Sequence, residues 1–595
     1  MSRYFTAFAA AGIVALSASL ASPAHAGIAT TKHNLSVSGP GTVKATSEAE
    51  ICVFCHAPHN TSPSGQLWNR RIGASYTPYT SSTRKSVAGQ PNGASLLCLS
   101  CHDGTIALGE VRNRAPNIGM AGGVTTLPAG NSLIGTDLSD DHPVSFVYDA
   151  ALQTARGELA APATLAKPSK VRLDGSGRLQ CTACHDPHDN TNTKFLVVAN
   201  TASALCQTCH LKNYWSGSDH KTSTKTWNSV APNPWPHTTG TTVAANACES
   251  CHRPHTAGGG KRLLNYAAEE ANCFPCHNGN VAAKNIQTEF NKASVHHVAN
   301  YTGIHDPTEA ASLASAHVEC VDCHNPHAAN ATAGSTPGGS AAPTLPGSQT
   351  GVRGINISGV EVNPATAEYE ICFRCHADGA GNTPASSTPR VIVQNNKRLE
   401  FQTSNPSFHP VAGAGRSTTV PSLLAPWTTA SRVKCSDCHN NNAGPYSTGT
   451  GTTAGSGTNG PHGSTYPTLL ERQYTTTDPT TESAAAYALC YKCHSRTSIL
   501  SQSVTGSFTF HWYHVDASSN VKAPCNTCHD PHGISSTQGS VLNNSRLINF
   551  NSAVVSASPG NGAARWVRVG TIGGTCYLKC HNINHNGWSY SGGPP

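Results

Sequence analysis

Twenty-four cysteines punctuate this chain of 595 residues, and each belongs to one of twelve pairs followed directly by histidine. The pairs are Cys52/Cys55 with His56, Cys98/Cys101 with His102, Cys181/Cys184 with His185, Cys206/Cys209 with His210, Cys248/Cys251 with His252, and Cys273/Cys276 with His277. The second half carries Cys320/Cys323 with His324, Cys372/Cys375 with His376, Cys435/Cys438 with His439, Cys490/Cys493 with His494, Cys525/Cys528 with His529, and Cys576/Cys580 with His581. Eleven read C-x-x-C-H and the last C-x-x-x-C-H. Two thiols at this spacing add across the vinyl groups of a haem while the adjacent imidazole takes one axial position on the iron. Chance would supply roughly 0.05 C-x-x-C-H matches at this composition. Zinc knuckles need a second thiol pair or histidines several residues away, and thioredoxin-like pairs need no histidine. The pattern therefore predicts twelve covalently attached haem c groups, with no thiol left for a structural disulfide.

Each iron has a second axial position. Five motifs continue as C-x-x-C-H-x-P-H and supply His59, His188, His255, His327 and His532. Residues three apart share a face of a helical turn, yet the later imidazole cannot reach the far side of an iron held by its neighbour, so it is expected to bind the next haem. In the fifth unit an insertion follows Cys438-His439, and Pro461-His462-Gly463 then repeats Pro531-His532-Gly533, which makes His462 the displaced equivalent. A second set lies upstream of the odd-numbered motifs: His33, His142, His237, His296, His409 and His514. Ser294-Val-His-His-Val-Ala299 aligns with Ser407-Phe-His-Pro-Val-Ala412 and favours His296 over His297, His305 or His317, while His511 competes with His514. Surface turn histidines are the bland alternative for each. Six upstream and six downstream histidines would match twelve irons, with His220, His297, His305, His317, His511 and His585 spare. Met1 and Met120 are the only methionines, so bis-histidine ligation and low potentials are expected.

The elements that must position these groups are short. Even-numbered motifs usually follow an apolar residue and odd-numbered ones usually carry the H-x-P-H ending, a repeat of two haems. First cysteines within a pair lie 46, 25, 25, 52, 55 and 51 residues apart. The units run 27–160, 161–230, 231–292, 293–400, 401–506 and 507–595. Their boundaries are nominal, and His142 could serve the first or the second. The expected fold is mostly irregular, with short α-helices on a haem-cored, elongated scaffold of six dihaem repeats. Short helices are expected around Ala267 to Asn272 and Glu482 to Tyr491, and loops over 328–352 and 440–465.

Composition agrees. Only 37% of residues are hydrophobic and 6% aromatic, against 54 glycines and 38 prolines, poor material for a conventional core at roughly 47 residues per haem. Porphyrin faces must replace side chains, so the chain without haem should be largely unfolded. Residues 1–26 read as a signal peptide: Arg3, an apolar run from Phe5, then Ala24-His25-Ala26 before Gly27. No cysteine at that site suggests a lipid anchor, so export to the periplasm, outer-membrane surface or exterior is expected. The formal charge is +7, about +6 once Arg3 leaves with the leader, but twelve haems bring up to about −24 in propionates, leaving roughly −18 reduced or −6 ferric. Nucleic acid is not an indicated partner.

Lys32-His-Asn-Leu-Ser-Val-Ser-Gly-Pro-Gly41, Ile51-Cys-Val-Phe-Cys-His-Ala-Pro-His59, Leu67-Trp-Asn-Arg70, Leu97-Cys-Leu-Ser-Cys-His-Asp-Gly104 and Asp141-His-Pro-Val-Ser-Phe146 resemble the multihaem cytochromes with doubled C-x-x-C-H repeats of metal-respiring bacteria; His317-Val-Glu-Cys-Val-Asp-Cys-His-Asn-Pro-His327 has the same character. The resemblance implies electron conduction in extracellular electron transfer, with other multihaem cytochromes, outer-membrane porin-cytochrome components or metal oxides as partners. Self-assembly into a filament is compatible with it. The alternative is a multihaem nitrite- or hydroxylamine-type reductase with one open iron; the best-known type replaces a proximal His by Lys, and no C-x-x-C-K occurs here. A dedicated catalytic site is not expected.

Overall fold

Closing a single helical turn is enough to set two thiols and an imidazole side by side, and the chain forms little more. In the computed structural model the N–H of the motif histidine donates to the carbonyl of the first cysteine in one motif after another: His56 to Cys52 at 2.8 Å, His185 to Cys181 at 2.9 Å, His439 to Cys435 at 2.8 Å and His529 to Cys525 at 2.9 Å. This is the i to i−4 bond of one α-turn. The structure describes residues 27–590 except 63–64, 66, 302, 314–316, 340, 380–385, 450–454 and 504–506. The expected signal peptide lies outside the described residues.

The longest helices are α1 (Gly93–His102), α2 (Ala150–Arg156), α3 (Glu270–His277) and α4 (Glu368–His376). Three of the four end on a proximal histidine. The helix expected near 267–272 is α3, shifted toward the motif it carries. Glu482 to Tyr491 forms turns instead. There the Leu489 N–H donates to the Gln473 carbonyl, the Thr475 N–H donates to Ala486, and the Glu482 carboxylate accepts from Tyr491 and Arg496, so neighbouring chain satisfies the groups a helix would have used.

Paired strands of two residues hold distant segments together. Phe146–Val147 pairs with Arg178–Leu179, Ser294–Val295 with Gly463–Ser464, and Ser407–Phe408 with Gly533–Ile534, all antiparallel. The last two bring a histidine phrase upstream of an odd motif against a Pro-His-Gly phrase. A side chain at Gly463 would strike the Glu289 carbonyl, and one at Gly533 the Glu400 carbonyl, which is why glycine follows the histidine in both. The described residues of 328–352 and 440–465 are otherwise irregular apart from one turn of 3-10 helix at Gly347–Gln349.

The C-terminus alone builds a larger sheet. Strands β1 (Val555–Ser556), β2 (Arg565–Val569), β3 (Gly573–Cys580) and β4 (Ile583–Tyr590) form an antiparallel sheet in which β3 pairs with each of the others. Buried hydrophobics gather in small separate clusters; one joins Phe146, Tyr148, Leu152, Leu165, Val171, Leu179 and Ala183, and another joins Ile548, Phe550, Val555, Trp566 and Leu578.

Candidate haem-binding sites

Successive motifs lie near one another. Within a pair the second cysteines are in electrostatic contact: Cys55 with Cys101, Cys184 with Cys209, Cys251 with Cys276, Cys323 with Cys375, Cys438 with Cys493 and Cys528 with Cys580. Between pairs the first cysteines are neighbours: Cys98 of Cys181, Cys206 of Cys248, Cys273 of Cys320, Cys372 of Cys435 and Cys490 of Cys525. These contacts alternate without a break from the first motif to the twelfth, in sequence order. All 24 thiols are free of disulfides. Burial pushes those of Cys55, Cys184, Cys276 and Cys438 up to about 12.

The histidines form facing pairs. An iron–nitrogen bond of about 2 Å on each side, plus the depth of each ring, would set the centroids of two axial imidazoles roughly 6.2 Å apart. His33/His102, His56/His188 and His252/His327 stand at 6.2 Å, and His142/His210 and His185/His255 at 6.3 Å. His220/His277, His439/His532 and His511/His529 stand at 6.1 Å, His296/His376 at 6.4 Å and His324/His462 at 5.9 Å. His409 lies close enough to His494 for their charges to repel.

One local device recurs five times. The proline before a downstream histidine accepts, through its carbonyl, a bond from an upstream histidine. His33 Nδ1 lies 3.3 Å from Pro187 O, His220 Nδ1 2.7 Å from Pro326 O and His296 Nδ1 2.9 Å from Pro461 O. His409 Nδ1 bonds Pro531 O, and the His142 backbone N–H donates to Pro254 O at 2.8 Å. Each joint thus aims one imidazole at the even motif and the next at the odd motif of one pair. The H-x-P-H histidine faces the preceding odd motif, not a following one: His188 faces His56 and His255 faces His185. Its own motif histidine already occupies the local turn, so only the earlier pair is within reach.

Hydrogen bonding also sets the tautomers. A carbonyl only accepts, so Nδ1 must carry the proton in His102 (Ser132 O, 2.6 Å), His185 (Lys194 O, 2.9 Å), His324 (Ser348 O, 2.9 Å) and His439 (Thr468 O, 2.8 Å). The Nε2 lone pair is left for a metal. Burial depresses these groups: His277, His376 and His494 fall to about 4, and His210, His462 and His511 to about 3. They are neutral, the state that ligates.

Three expected ligands stand elsewhere. His59 is exposed, and among the described residues no ring contact pairs it with another histidine. His237 points Nε2 at the Glu249 carbonyl, 2.9 Å away, because its Trp-Pro-His turn packs on the fifth motif; His220 faces His277 in its place. His581 lies in the turn between β3 and β4 with Nε2 2.8 Å from Asp478 Oδ1. His511, not His514, faces His529, and His514 faces His585 at 6.3 Å. Asp219-His220 repeats the Asp-His of Asp141-His142, a sequence signal for the first of these substitutions.

From the third pair to the C-terminus the chain encloses a connected cavity of about 2070 Å³, with Cys276, Cys323, Cys375, Cys438, Cys493 and Cys528 among its walls. Protein interiors pack at crystal density with few voids. A mostly apolar channel edged by thiol pairs and opposed imidazoles fits porphyrins. The doubled CXXCH motif family matches residues 175–213 and 241–282, which enclose the third with the fourth and the fifth with the sixth motifs. No curated protein matches this chain. The paired CXXCH motifs, each with its histidine, indicate a multihaem c-type cytochrome.

Proposed function

We propose that the chain is a dodecahaem cytochrome that conducts electrons along one unbranched row of bis-histidine haems in sequence order. The observation that carries this is the unbroken alternation of thiol contacts from Cys55/Cys101 to Cys528/Cys580. Haems bonded to neighbouring thiols would lie close together, which is what electron hopping needs. The protein's part is to space the irons and tune their potentials through ligands, burial and hydrogen bonds. Histidine on both faces, with no methionine, favours low potentials.

In this reading the distal ligands are His188, His33, His255, His142, His327, His220, His462, His296, His532, His409, His511 and His514, in order of haem. His585 replaces His581 on the twelfth iron. On a strand, residues an even number apart share a face, so the four-residue step from Cys576 to Cys580 keeps both thiols with Leu578 in one cluster. The register pairs Leu578 with His585, which puts that imidazole on the thiol face. Its Nδ1 lies 2.9 Å from the Tyr590 hydroxyl.

Every iron then has two imidazoles, which disfavours a reductase with an open site; reduction at exposed haem edges would be outer-sphere. No helix of the described residues is long and apolar enough to cross a membrane. With the leader read from the sequence, this supports export through the secretory route to the periplasm, outer-membrane surface or exterior, where other multihaem cytochromes, porin-cytochrome components or metal oxides would exchange electrons with it. Low-temperature electron paramagnetic resonance with spin quantitation on the oxidised holoprotein tests the proposal. Twelve low-spin irons are expected; a stoichiometric high-spin centre would overturn full ligation and favour the enzyme.

A further inference from the structure

Two histidines that face no haem motif meet two carboxylates in the interior. His305, His317, Glu319 and Asp322 each bring one ligand atom within 4.8 Å of the others. His305 Nδ1 lies 3.0 Å from Glu319 Oε2 and 3.5 Å from Asp322 Oδ1. Donors on a tetrahedral zinc ion, with bonds of about 2.0–2.1 Å, stand roughly 3.3 Å apart. Local geometry fixes the carboxylates: Glu319 and Asp322 flank Cys320, and the Asp322 Oδ2 caps the turn by accepting the Glu319 N–H at 2.9 Å.

The cluster holds a buried acceptor without a donor. Glu319 Oε1 has no hydrogen-bond partner although its side chain is fully buried. Glu309 stands behind, with Oε2 3.1 Å from His317 Nε2 and Oε1 3.0 Å from Arg374 Nη2, and Arg374 Nη1 lies 3.1 Å from Asp322 Oδ1. Glu269 accepts the backbone N–H groups of His305 and Val321. Glu269, Glu309, Glu319 and Asp322 thus face Arg374, Arg353 and Arg262. A buried carboxylate oxygen without a partner is costly. Arg374 and Glu309 have the places of outer groups that orient metal-bound carboxylates and imidazoles.

We propose that His305, His317, Glu319 and Asp322 form a non-haem site for one divalent transition cation of the zinc class. Two imidazoles and two carboxylates suit zinc and its neighbours, whereas calcium and magnesium take oxygen ligands. The ion would staple the loop at His305 and the segment at His317 to the turn bearing Cys320, beside the seventh motif.

The test uses full-length holoprotein, stripped with a chelator, dialysed and titrated with Zn2+ alone. Elemental analysis is expected to find one tightly held zinc per chain beside the haem iron, and X-ray absorption at the zinc edge four N/O donors at about 2.0 Å with imidazole scattering. His305→Gln and His317→Gln should each lose the stoichiometric zinc while keeping the wild-type haem content, measured separately as the pyridine haemochrome. Zinc retained by both variants, no stoichiometric zinc in the wild type, or an imidazole-free zinc shell would overturn the site. Because the absorption spectrum is read on the wild type, a variant that fails to fold leaves the proposal falsifiable, and haem ligation is read independently of the zinc.

Discussion

The five inner joints and the C-terminal cap solve one ligand problem differently. At each joint a proline carbonyl positions an upstream imidazole and the next histidine supplies a second, so the two histidines that face a pair come from either side of it, as His220 precedes the third pair and His327 follows it. The last pair draws both from one side. Its two facing imidazoles, His511 and His514, sit three apart on the short helix His511–Val515, and the twelfth thiols move onto the hairpin of β3 and β4. The N-terminus shows the reverse: His59 ends the first motif, no earlier pair exists for it to serve, and it is exposed. A repeat array whose units complete one another must close its ends with different parts.

Acid should erase the difference between the two regions, and it is the largest expected effect. Burial holds His277, His376 and His494 in the inner joints, and His511 and His585 in the cap, at about 3 to 4. An unfolded chain titrates histidine near 6.5. Between those values the unfolded state binds more protons, so stability is complete above about pH 6.5 and falls as pH drops toward 4. Low-spin haem absorbance and circular dichroism are expected to decline together in that window. A cap that lost its signal a full pH unit before the inner haems would show the regions to be held by different chemistry.

Trp566→Ala should separate the regions. The indole is 6% exposed and packs with Ile548, Phe550, Val555 and Leu578, lying over Gly574. Truncating a buried tryptophan costs about 3–5 kcal/mol, and in an array stabilised by nearest neighbours the loss stays local. Haem stoichiometry by intact mass is expected to fall toward eleven, with protease cleavage confined to residues beyond about 540. Loss of inner haems would mean that the cap holds the whole row.

The paired CXXCH motifs were legible in the sequence because thioether chemistry would need thiols and imidazole within one turn. Distal ligands were harder, since nothing local decides which iron an imidazole reaches. The recurrence of H-x-P-H marked His188, His255, His327 and His532 as partners, but their direction, back to an earlier pair, depends on how chain segments cross. His237 sits in a Trp-Pro-His phrase that looked suitable, whereas His220 reached the Pro326 carbonyl from a turn of Ser, Asp and Lys. The sparse secondary structure followed from composition. The C-terminal sheet did not, although the one irregular motif announced it: three residues between cysteines suit a strand as two suit a turn.

The smallest effect concerns a single iron in twelve and tests the cap's ligand directly. A motif read by sequence alone would have His581 ligate the twelfth haem, as the histidine after the second cysteine does elsewhere. Its backbone is left-handed, with φ 51°, in the two-residue turn, and its Nε2 faces Asp478. His585 stands opposite His514 at the spacing of the inner pairs, with its own Nδ1 occupied by Tyr590. His585→Ala should therefore convert one iron to high spin, about 8% of the total, as each iron is one of twelve ligated sites. His581→Ala should leave all low-spin and lose only its contact with Asp478. The opposite result would return the twelfth haem to the local rule of the other eleven and reduce the cap's difference to the source of its distal ligands.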